Sequence, residues 1–220
     1  MVADVAFAEI AEISLRTLRV SGTALAIAVA LGVPTAIALG TRRFKGRGLL
    51  VTAINAGMGA PPVVVGLGVA LLLWRSGPLG GLSLMYSVTA MVAAQVMIAL
   101  PLVVGITLAA VGAIDDEWHL QIRTLGVPGH WRLWLLVREI RMGLLAAVLA
   151  ALGGILSEVG AVQMVGGNLV GETRVLSTAI LMHTGMGDFD TALGLAGVLV
   201  GLTLVLAGLL TAVQQGGRPR

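Results

Sequence analysis

The stretch DTALGLAGVLVGLTLVLAGLLTAV, from Asp190 to Val213, opens on one carboxylate and then carries no charge to its end. A helix crossing the hydrocarbon layer of a bilayer needs roughly 20 mostly apolar residues, so this run reads as a membrane span. Moving outward from it toward the amino terminus, four more runs have the same character. They are Met142 to Met164, Met85 to Ile114, Leu49 to Leu73 and Leu18 to Gly40. Pro101 falls inside the run from Met85, which is long enough to tilt or kink there. The expected fold is all-α: a polytopic integral membrane bundle of five transmembrane helices over residues 18–214, with 215–220 as a tail.

Composition points the same way. Of 220 residues, 57% are hydrophobic and 11% charged, against about 25% charged in an ordinary soluble domain. The mean hydropathy is +0.99. An ordinary soluble enzyme and a disordered tail are excluded. The net charge of +3 does not describe a nucleic-acid surface, because the basic residues sit in short clusters between apolar runs. There is no Cys, which removes disulfides and thiolate metal sites. The 31 glycines are about twice the usual share of ~7% and suit helices that approach closely in lipid. Gly194, Gly197, Gly201 and Gly208 share one face of the last span, a groove for packing within or between subunits.

Basic residues orient a membrane chain, with the excess on the cytoplasmic side. Arg42, Arg43, Lys45 and Arg47 follow the first span. Arg123, Arg132, Arg138 and Arg141 lie between the third and fourth, and Arg218 and Arg220 close the tail. Only Arg16, Arg19, Arg75 and Arg174 fall on the other side. The amino terminus is therefore expected outside and the carboxyl terminus in the cytoplasm. Residues 1–17 interleave Glu9, Glu12 and Arg16 with Phe7, Ile10 and Ile13 at helical spacing. They read as an amphipathic helix at the membrane surface.

No Gly-x-x-x-x-Gly-Lys-Ser/Thr pattern occurs, so the chain has no P-loop for a nucleotide. His119, His130 and His183 are too scattered for a metal site. The spans hold almost no ionisable groups of the kind that ion-driven transporters use. Energy is expected from a separate subunit.

The longest polar stretch is 115–141, expected in the cytoplasm. Asp115, Asp116 and Glu117 suit a helix amino terminus. Leu120, Ile122 and Leu125 give a short apolar face, and Gly126 stops the helix before Pro128 and Gly129. Read alone, this is a solvated connector or a rigid knob that passes force to a partner.

Two apolar stretches carry unusual chemistry. Ala60-Pro61-Pro62-Val63-Val64-Val65-Gly66-Leu67-Gly68 places two prolines, which break helices, inside a span. Non-helical backbone at membrane depth survives only where protein or a water-filled cavity covers it, so the break is either a path lining or a structural kink. Ser157-Glu158-Val159-Gly160-Ala161-Val162-Gln163-Met164-Val165-Gly166-Gly167-Asn168 ends the fourth span with a carboxylate. Glu158 would repel an anion, so its expected role is gating or packing, paired with Arg174 or a backbone amide. Asn168, Thr173, Ser177 and Thr178 form an uncharged polar set whose hydroxyls and amide could hydrogen-bond a passing solute without holding it tightly. Arg174 reads first as a surface contact, and His183 as structural.

These two stretches, with Thr124-Leu125-Gly126 followed by Trp131-Arg132, resemble the permeases of ATP-binding-cassette oxyanion importers, most of all the tungstate branch, then molybdate and sulfate. The cytoplasmic loop departs from the family pattern. Leu120-Gln121-Ile122 stands where Glu-Ala-Ala is usual, and Arg138-Glu139 where Leu-Pro is common. The resemblance runs from about Leu18 to Ala212 and implies a type I importer permease. It implies a homodimer in a prokaryotic plasma (inner) membrane, a cytoplasmic ABC ATPase holding ATP and Mg, and an extracytoplasmic oxyanion-binding protein. No cofactor and no nucleic acid are expected on this chain itself. Asp116, Glu117, Leu120, Gln121, Thr124, Leu125 and Gly126 would contact the ATPase. Pro61, Pro62, Gly66, Glu158, Gly160, Asn168, Thr173, Ser177 and Thr178 would form the path or its gate, and Gly194, Gly197 and Gly201 a packing face. A membrane subunit that scaffolds a complex without forming a path stays open as an alternative.

Overall fold

The computed structural model describes the backbone of residues 2–216, and side chains over 7–212 apart from Asp116 and His119. Arg218 and Arg220 of the expected tail lie outside the described residues. Among those described there are ten α-helices, one short 3-10 turn at Gly80–Leu82 and no strand.

Helix α1 runs unbroken from Val2 to Thr41. It stays helical in apolar surroundings because its polar side chains satisfy themselves locally. Ser14, Thr17, Thr35 and Thr41 each donate a hydroxyl to the carbonyl four residues back, which removes the cost of an unpaired polar group. The boundary expected at residue 18 is therefore no break. The amino-terminal part packs on the bundle: Ile13 is buried in a cluster with Leu176, Ala179 and Leu195.

The second expected span is two helices. α2 (Arg47–Met58) and α3 (Pro62–Leu73) meet at 107°. Pro61 sits extended before α3, and Pro62 occupies the first helical turn, where its missing N–H costs nothing. Helix α4 (Val88–Gly112) continues through Pro101 and forms the centre of the bundle. Ala90, Ala94 and Ala99 are fully buried on it. Such small residues let neighbouring helices come close without side chains between them. Val20, Ala24 and Ala28 of α1 pack on Met91, Ala94 and Ile98, together with residues of later helices.

After α4 come α5 (Asp116–Thr124) and α6 (Gly129–Glu139), then α7 (Arg141–Leu156), bent 61° from α6. The fourth expected span does not run to Met164. It breaks at residues 157–159, and α8 (Gly160–Gly166) starts anew. α9 (Leu176–Gly185) and α10 (Phe189–Gly216) complete the chain. Among the described residues, three helices are long and apolar enough to cross a membrane, or up to five spans if each bent pair makes one.

α10 holds Ala192 and Leu195 against the bundle, while Leu193, Val200, Leu204 and Leu209 stand exposed. Gly194, Gly197, Gly201 and Gly208 are on the exposed side too, and a Cβ on any of them would meet nothing within 4 Å. The glycine groove therefore has no partner among the described residues.

Candidate functional site at the α3–α8 junction

The two unusual stretches, far apart in sequence, meet in space. A Cβ on Gly66 of α3 would lie 2.4 Å from the Ala161 Cα of α8, and one on Gly160 would lie 2.7 Å from a Val63 methyl. The backbones thus touch, and only glycine permits this crossing. α3 can reach α8 because the Pro61–Pro62 elbow turns it out of the line of α2. Its other face carries Val64, Leu67 and Leu71, all exposed. The junction therefore stands at the edge of an uncovered apolar surface of the single chain.

Glu158 sits in the break between α7 and α8, 8% exposed. Its Oε1 accepts the backbone N–H of Ala161 at 2.7 Å. The carboxylate thereby caps the first turn of α8, satisfying an orphan donor and meeting the positive end of the helix dipole. Of the two partners expected for Glu158, the backbone amide is the one found. Arg174 instead lies 3.8 Å from Glu9.

Three of the expected path hydroxyls point inward. Thr173 donates to the Gly166 carbonyl at 2.5 Å and accepts from the Leu169 amide. Ser177 donates to the Glu158 carbonyl at 3.0 Å. Thr178 donates to the Val175 carbonyl and accepts the Val175 amide. All three are buried. Thr173 and Thr178 bind backbone of their own segment, and Ser177 ties α9 to the break before α8, because backbone groups left open in apolar surroundings bind the nearest hydroxyl. Asn168 differs. It takes a positive φ of 55°, and its buried Oδ1 has no partner among the described residues.

Residues that sequence reasoning passed over complete this region. Gln95, in the middle of α4, is 3% exposed and donates to the Ile155 carbonyl at 3.1 Å. Its Oε1 and that of Gln163 have no partner among the described residues. A Gln between Ala94 and Val96 in an otherwise apolar run was the signal, since intramembrane polar groups mark paths or packing nodes. Arg16, read from the sequence only as part of the surface helix, reaches across from α1 to the carbonyls of Gly171 and Arg174 at 2.6 and 3.1 Å and pairs with Glu12.

On the opposite side, α5 ends as the sequence requires. Gly126 has φ 65°. Its N–H bonds the Arg123 carbonyl, and the Val127 N–H reaches back to Ile122. This is a Schellman ending, which needs the left-handed conformation that glycine adopts freely. Trp118 anchors α5 on Ile37, Val111, Leu136 and Ile140, while Leu120 and Leu125 remain 65% and 76% exposed. The result is a short helix fixed at one face and open at the other. Asp116 is on this helix, but its side chain lies outside the described residues. Glu117 and Gln121 line a cleft between α5 and the ends of α4 and α7.

A family model, described as binding-protein-dependent transport system inner membrane component, matches residues 32–216. Among curated relatives, the "Probable anion ABC transporter permease protein" of Haloferax volcanii is 40% identical over 193 residues, covering 86% of this chain and 83% of the relative. The tungstate uptake system permease protein TupB of Peptoclostridium acidaminophilum is 37% identical, covering 89% and 86%. The sulfate transport system permease protein CysW of Escherichia coli K12 is 30% identical, covering 88% and 70%.

Proposed function

The chain belongs to the family of binding-protein-dependent transport system inner membrane components, and from that premise we propose that it is the permease subunit of a tungstate importer. The observation that carries the mechanism is the α3–α8 junction. Two broken membrane segments lock backbone to backbone at Gly66 and Ala161, beside an apolar α3 face that stands exposed among the described residues. Two copies bring these faces together around a path, with Pro61, Pro62, Gly66, Glu158, Gly160 and Asn168 near it. The path holds no ring of cations, which suits a conduit that must release its ion.

Movement comes from outside the chain. A cytoplasmic ATPase, holding ATP and Mg, docks on Leu120, Leu125 and the polar residues around them. Trp118 passes its displacement to the ends of α1, α4 and α6. An extracytoplasmic binding protein delivers the oxyanion and sets most of the selectivity. The amino terminus lies outside, in keeping with the distribution of basic residues.

Tungstate rests on the TupB relatives. Sulfate is the second reading, favoured by the CysW relatives. The deciding experiment is ATP-driven uptake into liposomes holding the permease and its ATPase, with the binding protein added outside. Tungstate uptake that excess sulfate does not compete away supports the proposal. Sulfate uptake without tungstate uptake replaces the substrate, and absence of any oxyanion uptake by the assembled complex refutes the path.

A further inference from the structure

The end of α1, the length of α5 and the start of α6 flank a half-open chamber of about 670 Å³, whose arginines the transport reading does not use. Arg43, Arg123 and Arg132 line it, with Thr41 and Trp118, against a single described carboxylate, Glu117. Arg132 is held in place by its Nε, which donates to the Val127 carbonyl at 2.6 Å. That leaves the two terminal nitrogens of its fork for a ligand. Arg43 also lines a second cavity, which runs along α1 past Arg42, Phe44, Leu39, Ala38 and Thr35. At 1.5 Å per residue, the stretch from Thr41 back to Thr35 reaches about 9 Å into the apolar part of the helix. Thr35 makes no polar demand on that groove, because its hydroxyl is spent on the Leu31 carbonyl.

A basic chamber at the end of a membrane helix, joined through one arginine to an apolar groove, has the two-part chemistry of a phospholipid. We propose that it binds an anionic phospholipid, the phosphate among Arg43, Arg123 and Arg132 and an acyl chain along Thr35–Leu39. Guanidinium forks match phosphate oxygens geometrically and stay charged at any physiological pH. A soluble oxyanion would use the chamber alone and leave the groove without purpose. Basic pockets between membrane helices on the cytoplasmic side favour anionic headgroups, each arginine adding about 1 kcal/mol near the surface, or roughly fivefold in affinity. The bound lipid would bridge the last turn of α1 to α5. This inference requires that α1 crosses the membrane with Arg43 at its cytoplasmic end, and it is independent of which ion is carried.

The test is native mass spectrometry of the full chain in mild detergent, titrated separately with dioleoylphosphatidylglycerol, dioleoylphosphatidylcholine and glycerol 1-phosphate. The phosphatidylglycerol complex should persist at concentrations where the other two do not. Replacing Arg43 and Arg123 by Gln should weaken it about fivefold each, while the two Lys replacements should retain most of the binding. Equal retention of phosphatidylcholine overturns the proposal. So does glycerol 1-phosphate binding as tightly as the lipid, which would make the chamber a soluble-oxyanion site. Should the Gln variants fail to fold, the three-way comparison on the wild-type chain decides alone.

Discussion

Gly66 of α3 lies against Ala161 of α8 with no room for a methyl group: its Cβ would fall 2.4 Å from the Ala161 Cα and 2.7 Å from the Ala161 Cβ. The atoms in the way are chiefly backbone, so no rotamer change relieves the contact. Gly66→Ala should therefore push the two helices apart and cost ~1–3 kcal/mol, the usual range for overpacking. Thermal unfolding in detergent measures it. Adding Ala161→Gly should restore only part of the loss, because the Cα remains. Full restoration would place the strain at the Ala161 methyl instead.

Glu158 holds the Ala161 amide at 2.7 Å. Glu158→Ala removes a helix cap and should cost ~0.5–2 kcal/mol. Glu158→Gln keeps an acceptor oxygen and should cost less. If the two variants melt alike and near wild type while transport fails in both, the carboxylate acts on the ion and not on α8.

Gly126, at φ 65°, ends α5 in a conformation that a β-branched side chain resists. Gly126→Val should cost ~1–2 kcal/mol locally and misdirect the chain entering α6. The permease should still insert, yet release the ATPase or let it hydrolyse ATP without transport. Gly126→Asn, which tolerates the left-handed region, should be milder. Unchanged assembly and substrate-stimulated hydrolysis in the Val variant would remove α5 from the coupling path.

Asp188 joins α9 to α10. Hydrogen bonding from Thr191 first, and then from His183, holds its carboxyl below the ordinary value of 3.8. A depressed carboxyl contributes stability that is present above its ordinary value and lost as the pH falls through the lowered one. Amide exchange in the turn over 186–192 should thus be slower in wild type than in Asp188→Asn at neutral pH. The difference should vanish once the pH is well below 3.8. No difference between the two at neutral pH would assign the turn's stability to its backbone bonds alone.

Orientation is open to labelling, since the chain has no cysteine of its own. Ser76 is exposed after α3, and a Cβ at Gly48 meets nothing. A membrane-impermeant maleimide should label Ser76→Cys in intact cells, and Gly48→Cys only after permeabilisation. Labelling of position 48 in intact cells would invert the topology.

What could be read from the residues alone was local. Apolar runs of span length announced a helical membrane bundle. Pro61 and Pro62 announced a broken helix, because proline's lost donor acts within its own turn. Gly126 announced the end of α5, because the left-handed conformation belongs to a single residue. The remaining features depend on partners distant in sequence. The 107° elbow matters because it carries Gly66 to Ala161, and no periodicity in either stretch encodes that meeting. Ser177 looked like a free hydroxyl until folding placed it 3.0 Å from the carbonyl of Glu158. Residues 1–17 had the alternation of a surface helix, yet Ile13 is buried because α9 and α10 supply an apolar partner there. Charge and hydropathy count how many groups must leave water, whereas which carbonyl or methyl receives each is decided only when the helices pack.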